Sequence, residues 1–142
     1  PLDRYWSEPE LVDGLIDIQK SCFIKFNVDT ERFYVTGLSM GGYGTYALAS
    51  KIPHTIAAAL PICGAADLTI IHKMKNIPTW IFHGDQDQVV PVKNSLDAFE
   101  ILQPSNPNVH LTIYEGIGHD SWTETYQNPD VLDWMLSQRN HR

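Results

Sequence analysis

A basic cluster is missing from this sequence. Lys and Arg together number 10 against 17 Asp and Glu, a formal net charge of −7. Nucleic acid needs a basic stripe to offset its phosphates, so no nucleic-acid partner is expected. The acidity reads as a solubility feature. Long apolar runs are missing too: nothing approaches the roughly 20 apolar residues of a membrane helix, so no membrane partner is expected either. The opening Pro1-Leu2-Asp3-Arg4-Tyr5-Trp6 is mixed and polar, unlike a signal peptide. It also lacks Met, which reads as other than a natural start, with an upstream segment removed or outside this chain. Cysteine is scarce: Cys22 and Cys63 make neither a disulfide framework nor a metal motif. Each lies in an apolar stretch and is expected as a buried free thiol. A single disulfide is the alternative, so the compartment stays open. Repeats, low-complexity tracts and charge blocks are absent as well.

What is present suits one domain with a real core: 142 residues, 43% of them hydrophobic. Ser7 and Glu10 have the spacing of a capping box, with Pro9 in the first turn. Leu11, Leu15, Ile18, Cys22 and Phe26 follow at helical spacing, and the helix should end near Asn27. Arg32 to Thr36 reads as a strand, broken by Gly37. A helix over Gly41 to Lys51 stops before Pro53. Ile56 to Cys63 holds almost no polar residue, as in a strand covered on both faces. Gly64 to Asn76 is irregular, with room for one helical turn. A strand over Thr79 to His83, a helix over Val92 to Gln103 and a strand over Val109 to Tyr114 follow. Asn128 caps a last helix, with Pro129 in its first position and Val131, Leu132 and Met135 facing inward. Strands alternating with helices imply an α/β fold, a mostly parallel sheet with helices on both faces. Functional loops then belong at the carboxyl ends of the strands.

Three loops there carry chemistry. Gly37-Leu38-Ser39-Met40-Gly41 stands directly between an expected strand and an expected helix. A serine on so sharp a turn is strained, and side chains at the flanking glycines would collide with strand and helix. Ser39 is the candidate nucleophile. The helix that follows offers the N–H of Met40 to an oxyanion. A phosphate-binding βα turn is the competing reading, weakened by the lack of an acidic ribose partner or a Walker lysine. His83-Gly84-Asp85-Gln86-Asp87 follows the third strand. Asp87 is favoured as the acid that orients a histidine, while Asp85, tight against the strand end, is placed to cap or brace the turn. Taken singly, either is a loop aspartate bonding its own backbone. Gly116-Ile117-Gly118-His119-Asp120 supplies His119, last in the chain order Ser…Asp…His. His83 closes a strand and reads as structural; His54, His72, His110 and His141 have no place in a triad. No metal is expected, because no ligand pair beyond the adjacent His119 and Asp120 has suitable spacing. Leu38 and Trp122 are candidate pocket residues, and Trp122 with Tyr126 could equally pack the last helix onto the core.

On these residues the chain resembles the α/β-hydrolase superfamily. More narrowly, it resembles the esterases and peptidases related to the prolyl oligopeptidase catalytic domain and to feruloyl- and polyhydroxybutyrate-type esterases. The matching stretches run from Asp29 to Gly42, from Pro78 to Asp87 and from Gly118 to Trp122. The resemblance implies Ser39 as nucleophile, His119 as general base and Asp87 as orienting acid. It implies a small-molecule ester substrate, cleaved through an acyl-enzyme without a cofactor. A peptidase using the same residues, or a non-catalytic binding module of the same shape, are the alternatives. The family carries about four more strands ahead of the nucleophile strand and takes its second oxyanion donor from that part. Residues 1–142 therefore read as one domain lacking the N-terminal strands of the full fold. Either a separate N-terminal fragment or a second copy of the chain is expected to pair at the nucleophile-strand edge.

Overall fold

Four strands separated by helices can pair in parallel, since each crossover helix returns the chain to the same end of the sheet. The computed structural model describes residues 4–141 and shows this pairing. Residues 1–3, read above as part of a mixed polar start, lie outside that range. The elements are α1 (Pro9–Lys25), a 3-10 turn (Thr30–Arg32), β1 (Tyr34–Leu38), α2 (Met40–Lys51), β2 (Ala58–Ile62), a 3-10 turn (Ile71–Met74), β3 (Thr79–Gly84), α3 (Lys93–Leu102), β4 (Val109–Tyr114), α4 (Trp122–Gln127) and α5 (Pro129–Ser137). The sheet order is β1-β2-β3-β4. Tyr34 stands opposite Ala58 and Leu38 opposite Ile62; Thr79 stands opposite Val109 and Gly84 opposite Tyr114.

Side chains alternate along each strand, and both faces are covered. Ala59 of β2 and Ile81 of β3 face a core that includes Tyr46 and Ala49 of α2 and Ala98 and Leu102 of α3. Ala58, Leu60, Ile62 and Phe82 face the other way, against Val131 of α5, with Trp122, Tyr126 and Trp134 packed around them. That is why β2 carries no polar residue: all five of its residues are buried. Each fully buried Leu or Ile there contributes about 1.5–3 kcal/mol relative to exposure. Val12 and Ile16 of α1 pack on Leu48 of α2, outside the sheet layers.

Several local expectations are corrected. Glu8, not Ser7, is the N-cap of α1, and no side-chain capping bond forms there; the Glu8 carboxylate instead accepts from the Tyr5 N–H. The buried stripe of α1 is Val12, Ile16 and Gln19, which leaves Ile18 and Phe26 more than 60% exposed. The spacing was read correctly, but the helix is rotated by about one position. β1 starts two residues later than expected, because Asp29 caps a 3-10 turn that takes up Arg32. It then runs through Gly37, which still pairs with Pro61. Leu132 is exposed, and Trp134 packs on the core in its place. Cys22 is only half-buried, whereas Cys63 is buried; both are free thiols. No apolar period in the sequence marks α4: it has six residues, and the helix is held by packing on the core. The Asn128 cap of α5 is as expected, its side chain accepting from the Asp130 N–H.

Candidate active site

The turn from β1 into α2 forces one residue out of ordinary backbone geometry, and that residue is Ser39, with φ 51° and ψ −118°. Strain of this kind costs on the order of 1–3 kcal/mol and persists where surrounding structure enforces it. Here the enforcement is visible. The Ser39 N–H donates to the Ile62 carbonyl at 2.9 Å, and α2 starts on the next residue. Gly37 is needed because a Cβ there would lie 2.4 Å from the Gly41 carbonyl oxygen. The same does not hold for Gly41, where a Cβ meets nothing; the second crowded glycine is Gly42, against the Ile62 carbonyl. Although Ser39 is the N-cap of α2, its hydroxyl makes no capping bond. It is left to His119, whose Nε2 lies 2.9 Å from Ser39 Oγ.

His119 arrives from the loop after β4. That loop is drawn against the end of β3, where a Cβ on Gly84 would lie 2.2 Å from the Ile117 carbonyl oxygen. Asp85 holds the loop from the same side: its Oδ1 accepts from the Gly116 N–H at 2.8 Å, so it braces the neighbouring loop rather than capping its own turn. His119 Nδ1 lies 2.7 Å from Asp87 Oδ2. An ionised carboxylate only accepts, so Nδ1 carries the proton and Nε2 is free to accept from Ser39. The structure thus brings Ser39, His119 and Asp87 into one hydrogen-bonded line, across sequence separations of 80 and 32.

The Asp87 side chain is fully buried, while that of His119 is 21% exposed. Burial pushes the Asp87 carboxyl up, but the His119 hydrogen bond and the N–H groups of Val90 and Val89 outweigh it and hold the carboxyl below its ordinary value. Met40 is the first residue of α2, so its N–H belongs to the first-turn donors that have no acceptor within the helix. Trp122 sets its ring edge-to-face on the His119 ring at 5.4 Å and 87° while also packing on the core. Leu38, beside Ser39, is 37% exposed. Tyr126 turns its hydroxyl to Thr36 Oγ at 2.9 Å.

Two residues of the site were not legible as such. Cys63, at the end of β2, takes φ 40°, and its sulfur accepts from the Ser39 N–H at 3.3 Å. Burial pushes its thiol up. Nothing near Cys63 in sequence points to Ser39; only the β1–β2 register does. The other is His83, read as structural, whose Nε2 lies 3.2 Å from Asp87 Oδ2. Ligand atoms of Cys63, Asp87 and His119 also lie within 4.8 Å of one another, a set that could hold a metal ion. In this structure those atoms are taken up by the hydrogen bonds just described.

A parallel sheet with a strained serine after one strand, a carboxylate after a later strand and a histidine after the last defines an α/β hydrolase. The chain belongs to the Phospholipase/Carboxylesterase family, which it matches over residues 9–130. It is similar to a thermostable esterase of known structure, with a TM-score of 0.88 and 37% identity, covering 92% of this chain and 37% of that one. It is 34% identical to Cutinase 1 of Thermobifida cellulosilytica over 104 residues, 70% of this chain and 37% of the cutinase. It is 30% identical to a bifunctional acetylxylan esterase/xylanase of Neocallimastix patriciarum over 122 residues, 75% of this chain and 18% of that protein. The chain therefore spans well under half the length of these relatives. Among the described residues, no helix is long and apolar enough to cross a membrane.

Proposed function

We propose that this chain carries the reacting residues of a serine carboxylesterase. One observation bears most of the weight: the line from Ser39 Oγ to His119 Nε2 at 2.9 Å and from His119 Nδ1 to Asp87 Oδ2 at 2.7 Å. In this reading His119 takes the Ser39 proton as the oxygen attacks the ester carbonyl. Asp87 keeps the imidazole in the productive tautomer and offsets its positive charge. The Met40 N–H donates to the oxyanion. His119 then protonates the leaving alcohol, and later activates the water that releases the acid. Leu38, exposed beside Ser39, and Trp122, edge-to-face on His119, are the proposed contacts for a small ester. The esterases and cutinases among its relatives favour esters over peptides. The test is turnover of a short-chain p-nitrophenyl ester. Ser39→Ala should lower it by several orders of magnitude, and an unchanged rate rules the mechanism out.

We also propose that the four strands are part of a larger sheet, extended at β1. The backbone of β1 pairs on one side only, with β2. Beside it runs a groove of about 400 Å³ lined by Trp6, Leu15, Phe33, Val35 and Leu48. An unpaired edge next to apolar surface is a template for further strands. The occupant is either a separate N-terminal polypeptide or a second copy of the chain. It would bring the second oxyanion donor, whose loss typically costs on the order of 10²–10³ in turnover.

A further inference from the structure

A second imidazole stands behind the acid of the site. His83, on β3, is completely buried, and both of its ring nitrogens are engaged. Nε2 lies 2.8 Å from the Val90 carbonyl, which can only accept, so Nε2 carries a proton. The same nitrogen is 3.2 Å from Asp87 Oδ2, the oxygen that receives His119. Nδ1 lies 2.7 Å from Ser95 Oγ, which fixes the ring from α3. The Tyr46 hydroxyl approaches Ser95 from α2 and completes no hydrogen bond of its own. Asp87 is therefore surrounded by N–H donors. Val89 and Val90 give theirs to Oδ1 at 2.8 and 2.9 Å, while His119 and His83 meet at Oδ2.

We propose that His83 is a positioning residue that acts on His119 through Asp87. Its Nε2–H bonds the Val90 carbonyl and stands 3.2 Å from Oδ2, so its positive end links the Asp87 carboxylate to the 87–90 loop and fixes where Oδ2 stands. It also draws off part of the negative charge that Oδ2 presents to His119. A filler residue of the same volume would do neither. The inference rests on the triad reading for its catalytic meaning, but the coupling itself is physical and can be read without turnover.

The sign of the effect follows from the groups at hand. His119 faces Asp87 from the β3–α3 loop, Ser39 from the β1–α2 turn, Cys63 from the end of β2, and its own neighbour Asp120. Asp87 faces His119, Cys63 and His83. Removing the His83 N–H leaves a less screened carboxylate against His119, so His119 holds its proton to higher pH.

The experiment follows the ¹⁵N shifts of the His119 imidazole against pH in the native chain, His83→Leu and His83→Gln. Gln places an amide N–H near the position of Nε2. In His83→Leu the titration midpoint of His119 should move up. In His83→Gln it should stay close to the native one. Where the chain turns over ester, the acid limb of kcat/KM should move in the same direction. In His83→Leu, kcat should fall at constant KM, because Asp87 no longer holds the His119 imidazole in place. If His83→Leu fails to fold, Ser95→Ala decides, because it frees the ring from α3: an upward midpoint supports the proposal and an unmoved one overturns it. A folded His83→Leu chain whose His119 midpoint is unmoved or lowered overturns the proposal. A Ser39 that stays unlabelled by a small fluorophosphonate counts against the triad reading alone, since the His119 titration still reports on His83.

Discussion

Asp87 sits at the junction of the site, and its surroundings make it responsive to pH. Its carboxyl is held below the ordinary value against the push of burial, chiefly by the His119 bond and by the Val90 and Val89 N–H groups. A carboxyl with a depressed native value contributes stability that is present above the ordinary carboxylate range. That contribution is lost as pH falls through the native value. The window is therefore acidic, below about pH 4. Asp87→Asn cannot titrate, so its deficit in melting temperature relative to the native chain should shrink as pH drops from 6 toward 3. Melting curves across that range check this, and a deficit constant with pH contradicts it. At neutral pH the same substitution should lower ester turnover on the order of 10³–10⁴-fold, since the amide favours the wrong imidazole tautomer. At this scale Ser39, Asp87 and His119 were all legible in the sequence, because strand-end placement and chain order select them. Cys63 and His83 were not. Their roles depend on which side chains the sheet register brings beneath the turn, and no local spacing encodes that.

Elements were legible where periodicity and punctuation agreed. β3, β4, α3 and α5 lie within a residue or two of the expected limits, since each is bounded by Pro, Asn or Gly signals. The helix α1 was found but turned by about one position, because a largely apolar sequence such as Leu11–Ile24 supports more than one buried stripe. α4 was missed, as its short helix is stabilised by tertiary packing rather than by pattern. The edge strand β1 yields the prediction at this scale. With one side unpaired and apolar surface beside it, purified material should contain dimers or a companion fragment. Intact-mass measurement combined with light scattering checks this. A single species at monomer mass, with no second fragment, contradicts both proposed occupants of the edge. The exposed Ile24 and Phe26 at the end of α1 add to the apolar surface that such a partner could cover.

Over the whole molecule, one half of the chemistry is assembled and the other is proposed to come from outside. The proposed nucleophile, base, acid and one oxyanion donor stand past the carboxyl ends of β1, β3 and β4, three of the four parallel strands. This chain spans only 37% and 18% of the lengths of two of its relatives. Ester turnover by the chain alone could therefore be slow even with the serine line intact, so the central claim needs a measurement that depends on Ser39 activation and not on a complete pocket. Labelling with a small fluorophosphonate meets that need, because only a serine activated by its base reacts at a useful rate. The account predicts one adduct per chain, mapped to Ser39 by peptide mass and lost in both Ser39→Ala and His119→Ala. An unlabelled native chain, or an adduct at another residue that survives Ser39→Ala, contradicts it.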